Sequence, residues 1–281
     1  MATAAQISAA HAASLQKQNN LFDRLRQCES LLVAFSGGAD SAYLAWAAHQ
    51  ALGARALAVT ALSASFSKHD RDQAEAFVHA SGVLHEFIET REFDNPLYLA
   101  NNADRCYHCK DELFDRMESL AGERNFRAIA YGINADDTRD FRPGHRAARE
   151  HRILAPLLDV GLGKAEIREL SRLAGLPTWD RPASACLSSR IPYGTAVTPE
   201  ILSKVERAEA VLRALGFSQF RVRAHGELAR IELASGELSR GLQPEIAQQL
   251  ASRIKAVGFA FVSLDLEGYR QGSLNSLLKG K

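Results

Sequence analysis

The stretch VAFSGGADSAYLAWAA, residues 33–48, decides the fold. The apolar run SLLVAF at 30–35 reads as a short buried strand that ends at Gly37 and Gly38. A helix follows over 40–52, because Tyr43, Leu44, Ala47, Ala48 and Leu52 recur at helical spacing and Gly53 stops it. Strand, glycine turn and helix in that order leave unpaired backbone N–H groups at a helix N-terminus, which favours an anion. Gly37 and Gly38 let backbone approach a phosphate closely. Ser36 and Ser41 supply hydroxyls, and Asp40 is a candidate to hold Mg2+ through oxygen or water.

Two familiar phosphate patterns fail here. No Lys follows the glycines, so GxxxxGK[ST] is excluded, and GxGxxG does not fit. SGGxDS after a buried strand resembles instead the pyrophosphate-binding PP-loop of the N-type ATP pyrophosphatases. That resemblance implies cleavage of ATP between its α and β phosphates, an adenylated substrate and displacement of AMP by a nucleophile. The bland alternative is a Gly-Gly turn with a Ser/Asp helix cap.

Outward from the loop, strands and helices alternate. RALAVTAL (55–62) reads as a strand, KHDRDQAEAFVHASG (68–82) as an amphipathic helix and LHEFIET (84–90) as a third strand. Residues 95–121 read as loop then helix, and RAIAYGIN (127–134) as a fourth strand. A short fifth strand is expected at 153–155 and a helix at 164–174. This alternation predicts an α/β fold, a doubly wound parallel sheet with helices on both faces. Ligands of such sheets bind beyond the C-terminal strand ends, where the loop and Gly132 lie. Thr60 and Gly132 complete the candidate nucleotide contacts.

The pattern changes after LPTWDRPASACLSSRIPYGT, a Pro- and Ser-rich connection. A helix over 199–215, a hairpin FRVRAHGELARIEL turning at His225–Gly226, a helix at 244–257 and a strand at 259–266 make a smaller α+β domain. The expected division is residues 1–180 and 181–281.

Composition narrows the class. The chain has 281 residues, is 46% apolar and 24% charged, and carries a net charge of +1, without the bulk basicity of nonspecific nucleic-acid binding. No apolar run reaches the ~20 residues that cross a bilayer. The start, MATAAQISAAHAASLQKQNN, lacks a signal-peptide pattern and reads as a leader or a first helix. The expected location is cytoplasmic, with no membrane or nucleic-acid partner.

Four cysteines, Cys28, Cys106, Cys109 and Cys186, point away from structural disulfides in a reducing compartment. Cys106 and Cys109 in RCYHCK have CxxC spacing, and Cys186 lies in SACLSSR. Two thiolates at i and i+3 can grip one metal centre, and a third can come from a distant loop. A zinc site completed by His108 or another His, and redox-active or merely buried thiols, stay open as alternatives. Cys28 has no partner at metal spacing and reads as structural.

SGGADS, GINADD, DFRPG (140–144), ACLSSRIPYG (185–194), RVRAHGELARIE (221–232) and DLEGYRQGSLN (265–275) run in one order over roughly residues 20–275. Together they resemble the LarE family, ATP-dependent sulfur transferases of nickel-pincer cofactor biosynthesis. The resemblance implies a substrate, pyridinium-3,5-biscarboxylic acid mononucleotide, whose carboxylates are adenylated and then thiolated. It also implies a homo-oligomer, a hexamer. One branch of the family sacrifices a single cysteine as sulfur donor. The other holds a [4Fe–4S] cluster on three cysteines, and Cys106, Cys109 and Cys186 place this chain with it. Cys186 is the candidate donor should no cluster form. The sulfide source is not readable.

Arg221 and Arg223 share one strand face and are candidates to hold the substrate phosphate. Ser189 and Arg190 could orient a carboxylate or phosphate. Arg142 and Arg270 are further anion candidates. Asp137, Asp140, Glu209 and Glu232 are candidate metal or ion-pair partners. Three rival classes remain: a PP-loop tRNA thiolase, an amide-forming adenylating ligase and a nucleotide- or metal-sensing module without catalysis.

Overall fold

In a computed structural model of the chain, residues 4–139, 143–182, 185–270 and 272–274 are described. Helix α1 (Ala4–Arg26) leads into strand β1 (Leu31–Ala34) and helix α2 (Ala39–Leu52). Residues 4–26 thus form a helix, one of the two readings expected for this segment. Then follow β2 (Ala56–Leu62), α3 (Lys68–Ser81), β3 (His85–Glu89), α4 (Pro96–Leu99), α5 (Arg105–Arg124) and β4 (Ala128–Tyr131). Helices α6 (Pro143–Glu150), α7 (Pro156–Asp159) and α8 (Lys164–Leu173) close this half.

Strands β3-β2-β1-β4 form one parallel sheet in that order. All four residues of β1 are buried, as a central parallel strand requires. Leu32 and Ala34 of β1 pack with Val59, Ile129 and the α5 face of Leu113, Phe114, Met117 and Leu120. Ala147 and Ala148 of α6 join that cluster. Helix α2 packs on β1 and β2, and α1 and α8 pack on α2. The fold class is therefore α/β with a parallel four-stranded sheet.

The strand expected at 153–155 is a correction. Only a single bridge, Ala130 with Leu154, forms there. Arg152 takes a φ of 53° and Ile153 bonds back to Ala148 to end α6, and Pro156 opens α7, so too few residues stay extended to make a strand.

Beyond the connection come α9 (Pro199–Ala214), β5 (Phe220–His225), β6 (Leu228–Leu233), α10 (Leu238–Gly241), α11 (Pro244–Val257) and β7 (Phe261–Leu264). The hairpin β5–β6 is antiparallel, and β7 pairs parallel to β6. Val222, Ala224, Ala229 and Ile231 are buried on one face of this sheet, with α9 packed on β5.

The chain folds as two compact units. The first comprises Met1–Ser63, Lys68–Arg91 and Cys106–Ser184; the second comprises Ala64–Ser67, Glu92–Arg105 and Ala185–Lys281. The second unit thus takes two short excursions from the first half of the sequence. No described helix is long and apolar enough to cross a membrane.

Candidate functional site

The opening loop joins β1 to α2. Gly37 has a φ of 77°, a conformation that side-chain-bearing residues rarely adopt, and Gly38 caps α2 in an extended conformation. The Ser41 hydroxyl donates to the Gly38 carbonyl (3.0 Å) and accepts from the Ser36 N–H (3.2 Å), and it lies 3.1 Å from the Ser36 hydroxyl. Among the described residues, no group accepts from the N–H of Gly37, Gly38, Ala39 or Asp40. A loop and first helical turn with four unspent donors can hold an anion.

Gly132 makes room for this arrangement. A Cβ on it would fall 2.8 Å from the Ser41 backbone nitrogen and Cα, so the end of β4 and the first turn of α2 touch backbone to backbone. Thr60 is buried and donates its hydroxyl to the Phe35 carbonyl (2.6 Å), while His85 Nε2 lies 2.9 Å from the Thr60 hydroxyl oxygen. It thereby braces the residue preceding the loop.

Asp40 accepts from Asn134 Nδ2 at 3.0 Å. Asn134 Oδ1 in turn accepts from the N–H groups of Asp136 (2.9 Å) and Asp137 (3.2 Å). Lys164 pairs with Asp137 at 3.0 Å. Burial raises the Asp40 pKa above the ordinary carboxylate range and the charge of Asp137 adds to this, against the Asn134 hydrogen bond and the cations Lys164 and Arg168. The Asp40 carboxylate, at the N-terminus of α2 and fixed by Asn134, is a candidate oxygen ligand for a hard divalent cation. Arg142 and Asp140 lie outside the described residues.

Sequence reasoning missed Arg181. Its guanidinium donates to the Gly37 carbonyl (2.7 Å) and to Asp70 (3.0 Å). Arg168 holds the Arg181 segment by donating to the carbonyls of Trp179 (3.1 Å) and Arg181 (2.6 Å). A single arginine in an irregular connection has no periodicity to betray it.

The cysteines divide between the units. Cys106 and Cys109 lie in the first two turns of α5 in the first unit, and Cys186 precedes a short helical turn, Leu187–Arg190, in the second. None of the four cysteines is in a disulfide; Cys106 and Cys186 are exposed and Cys109 is half-buried. Thiols are the donor type that an iron–sulfur centre or zinc takes. Cys28 donates weakly to the Arg24 carbonyl, and burial pushes its thiol pKa up.

In the second unit, Arg190 is buried and forks onto Glu209 (2.9 and 3.1 Å). It also donates to the Cys186 carbonyl and the Ser189 hydroxyl (3.0 Å each), so it fixes the turn that carries Cys186. Burial alone would raise the Glu209 pKa, but Arg190, Arg221 and the Val222 N–H outweigh it and hold the carboxyl below its ordinary value. Arg223 forks onto the fully buried Glu232 (2.7 and 3.0 Å) and donates to the Ser189 carbonyl (2.9 Å). Arg230 reaches Glu232 at 2.9 Å and Asp265 at 3.7 Å. Arg221, half-buried, lies over the Tyr269 ring at 5.1 Å; burial and the neighbouring Arg190 lower its pKa. Arg270 is exposed and pairs with Glu267 at 2.6 Å. The guanidiniums of Arg190, Arg221, Arg223 and Arg230 thus lie among Glu209, Glu232 and Asp265, and Arg213 reaches Glu209 and Arg270 reaches Asp265, each at 3.9 Å. An arginine-rich cluster of this kind suits a phosphate monoester.

No protein-family model matches the chain. It is 43% identical over 262 residues to an uncharacterized protein of Synechocystis sp., covering 93% of this chain and 98% of that one. It is 32% identical over 264 residues to the pyridinium-3,5-bisthiocarboxylic acid mononucleotide synthase of Lactiplantibacillus plantarum, covering 93% and 95%. An uncharacterized protein of Methanocaldococcus jannaschii is 26% identical over 263 residues, covering 91% and 96%.

Proposed function

The chain belongs to the family of the pyridinium-3,5-bisthiocarboxylic acid mononucleotide synthase, and from that premise we propose that it is an ATP-dependent sulfurtransferase acting on pyridinium-3,5-biscarboxylic acid mononucleotide. The observation that carries the ATP half of this reading is the loop with unspent N–H donors and no lysine. A substrate carboxylate oxygen attacks the α-phosphorus of ATP and pyrophosphate leaves. Sulfide then attacks the acyl carbon and AMP leaves with the former carboxylate oxygen. Two rounds give the bisthiocarboxylate.

The loop N–H groups and the hydroxyls of Ser36 and Ser41 receive the leaving pyrophosphate. Asp40 and Asp137 hold Mg2+, with Asn134 fixing the Asp40 carboxylate. Arg221 and Arg223 hold the substrate's phosphate, and Arg190 keeps the Cys186 turn in shape. Cys106, Cys109 and Cys186 hold a [4Fe–4S] cluster, which supplies the sulfide for transfer when bound. A homo-oligomer, a hexamer by family resemblance, is part of the same proposal.

The test is a pyrophosphate-release assay under anaerobic conditions with iron and sulfide present. Release that depends on the pyridinium biscarboxylate, with a thiocarboxylate product by mass, supports the reading. Release that instead requires tRNA or ammonia would move the chain to a tRNA thiolase or an amide-forming ligase.

A further inference from the structure

The Gly37–Gly38 peptide is planar and trans, so the direction of the Gly37 carbonyl sets the direction of the Gly38 N–H. That carbonyl is not left to solvent. Arg181 Nη1 donates to it at 2.7 Å, while Nη2 is anchored on Asp70 at 3.0 Å. The side chains of Arg181 and Asp70 are only 13% and 18% exposed, so the pair is shielded from the screening that weakens surface ion pairs. The Arg181 backbone is pinned as well, by Arg168 on the carbonyls of Trp179 and Arg181. Glycine at 37 has access to many conformations, and the fork of an arginine selects one of them.

We propose that Arg181 is a positioning residue of the phosphate loop: it holds the Gly37 carbonyl outward so that the Gly38 N–H faces the pyrophosphate part of the nucleotide. Arg181 has this role only if the loop takes a nucleotide's phosphates, as proposed above. The role is confined to the β and γ phosphates. AMP, which lacks them, has nothing to gain from the Gly38 donor. Asp70 acts one step further back by fixing the fork.

The test compares inorganic pyrophosphate, ATP and AMP binding by calorimetry, with Mg2+, on the full-length protein and on Arg181→Met, Arg181→Lys and Asp70→Asn. Arg181→Met is expected to weaken pyrophosphate and ATP by about 10-fold or more, the scale of one lost hydrogen bond to a charged group. AMP affinity is expected to stay unchanged. Arg181→Lys restores part of the loss, since a single ammonium reaches the carbonyl but cannot also fork onto Asp70. Asp70→Asn gives a smaller loss with the same selectivity. Should Arg181→Met not fold, the Lys and Asn variants carry the same comparison. An equal loss for AMP and pyrophosphate, or no loss for either, overturns the proposal. A wild-type chain that binds neither ATP nor pyrophosphate overturns the ATP reading itself, which is a separate outcome.

Discussion

The chain offers two candidate anion sites made of different materials. The loop after β1 is made of backbone: N–H groups, a left-handed glycine and a helix N-terminus. The sheet of the second unit is made of side chains: arginines drawn from the Leu187–Arg190 turn, β5 and β6, balanced by carboxylates from α9, β6 and the segment after β7. A backbone site has no charge of its own to desolvate, so it stands ready while empty. A site of buried guanidiniums needs counter-charges simply to fold. Arg190 and Arg223 therefore have a structural part to play whatever they bind, whereas Gly37 and Gly38 act through backbone conformation and their N–H groups.

Substitutions should separate the two. The largest effect on activity is expected from Cys106→Ala, Cys109→Ala or Cys186→Ala. Each removes multi-turnover sulfur transfer and anaerobic cluster assembly, read by iron and sulfide analysis, while ATP-dependent pyrophosphate release persists. A full cluster after any one change would break the three-ligand assignment. Next comes Gly132→Ala. Its Cβ meets Ser41 backbone at 2.8 Å, so β4 and α2 must part. Pyrophosphate release should fall about 100-fold, as when an oxyanion donor is lost, and stability by about 1–3 kcal/mol from overpacking.

On the side-chain site, Glu232→Ala removes the carboxylate of Arg223 and leaves Arg230 with Asp265 alone. Denaturant unfolding should show a loss of about 3–5 kcal/mol, the cost of breaking a buried pair. ATP binding at the loop of any molecules still folded should be unchanged. Loss of both together would blur the contrast between the sites.

The backbone site was the more legible of the two because its parts are adjacent in sequence. Apolar run, Gly-Gly and Ala-rich helix announce a turn whose geometry follows from the residues themselves. The helices and central strands followed from the same local periodicity. The arginines of β5 were visible as residue types, but their partners were not. Arg223 meets Glu232 because the hairpin sets them diagonally across its two strands, which alternation can suggest, whereas the Ser189 carbonyl and Ser273 hydroxyl come from segments far away in sequence. Arg181 was illegible for the same reason: the Gly37 carbonyl it grips lies far back along the chain. The excursions 64–67 and 92–105 into the second unit follow from packing that no local pattern encodes.

The smallest expected effect concerns pH and neither site. His151, just after α6, lies between Asp111 and Glu118 of α5, 3.1 Å from each. Burial alone would lower its pKa, but the two carboxylates outweigh it and the pKa is raised above 6.5. A raised histidine pKa gives stability that is complete below the unfolded value and fades as pH rises through the folded value. His151→Gln should flatten that decline in unfolding curves from pH 6 upward, leaving activity at the loop intact.

Acyl-adenylation at the loop is the central claim, and a heavy-oxygen label in the substrate carboxylates tests it most directly. After one round with ATP and sulfide, the account predicts the label in the phosphate of AMP, since the carboxylate oxygen leaves with it. Label in orthophosphate, with ADP as the nucleotide product, would mean attack at the γ-phosphorus and would contradict it.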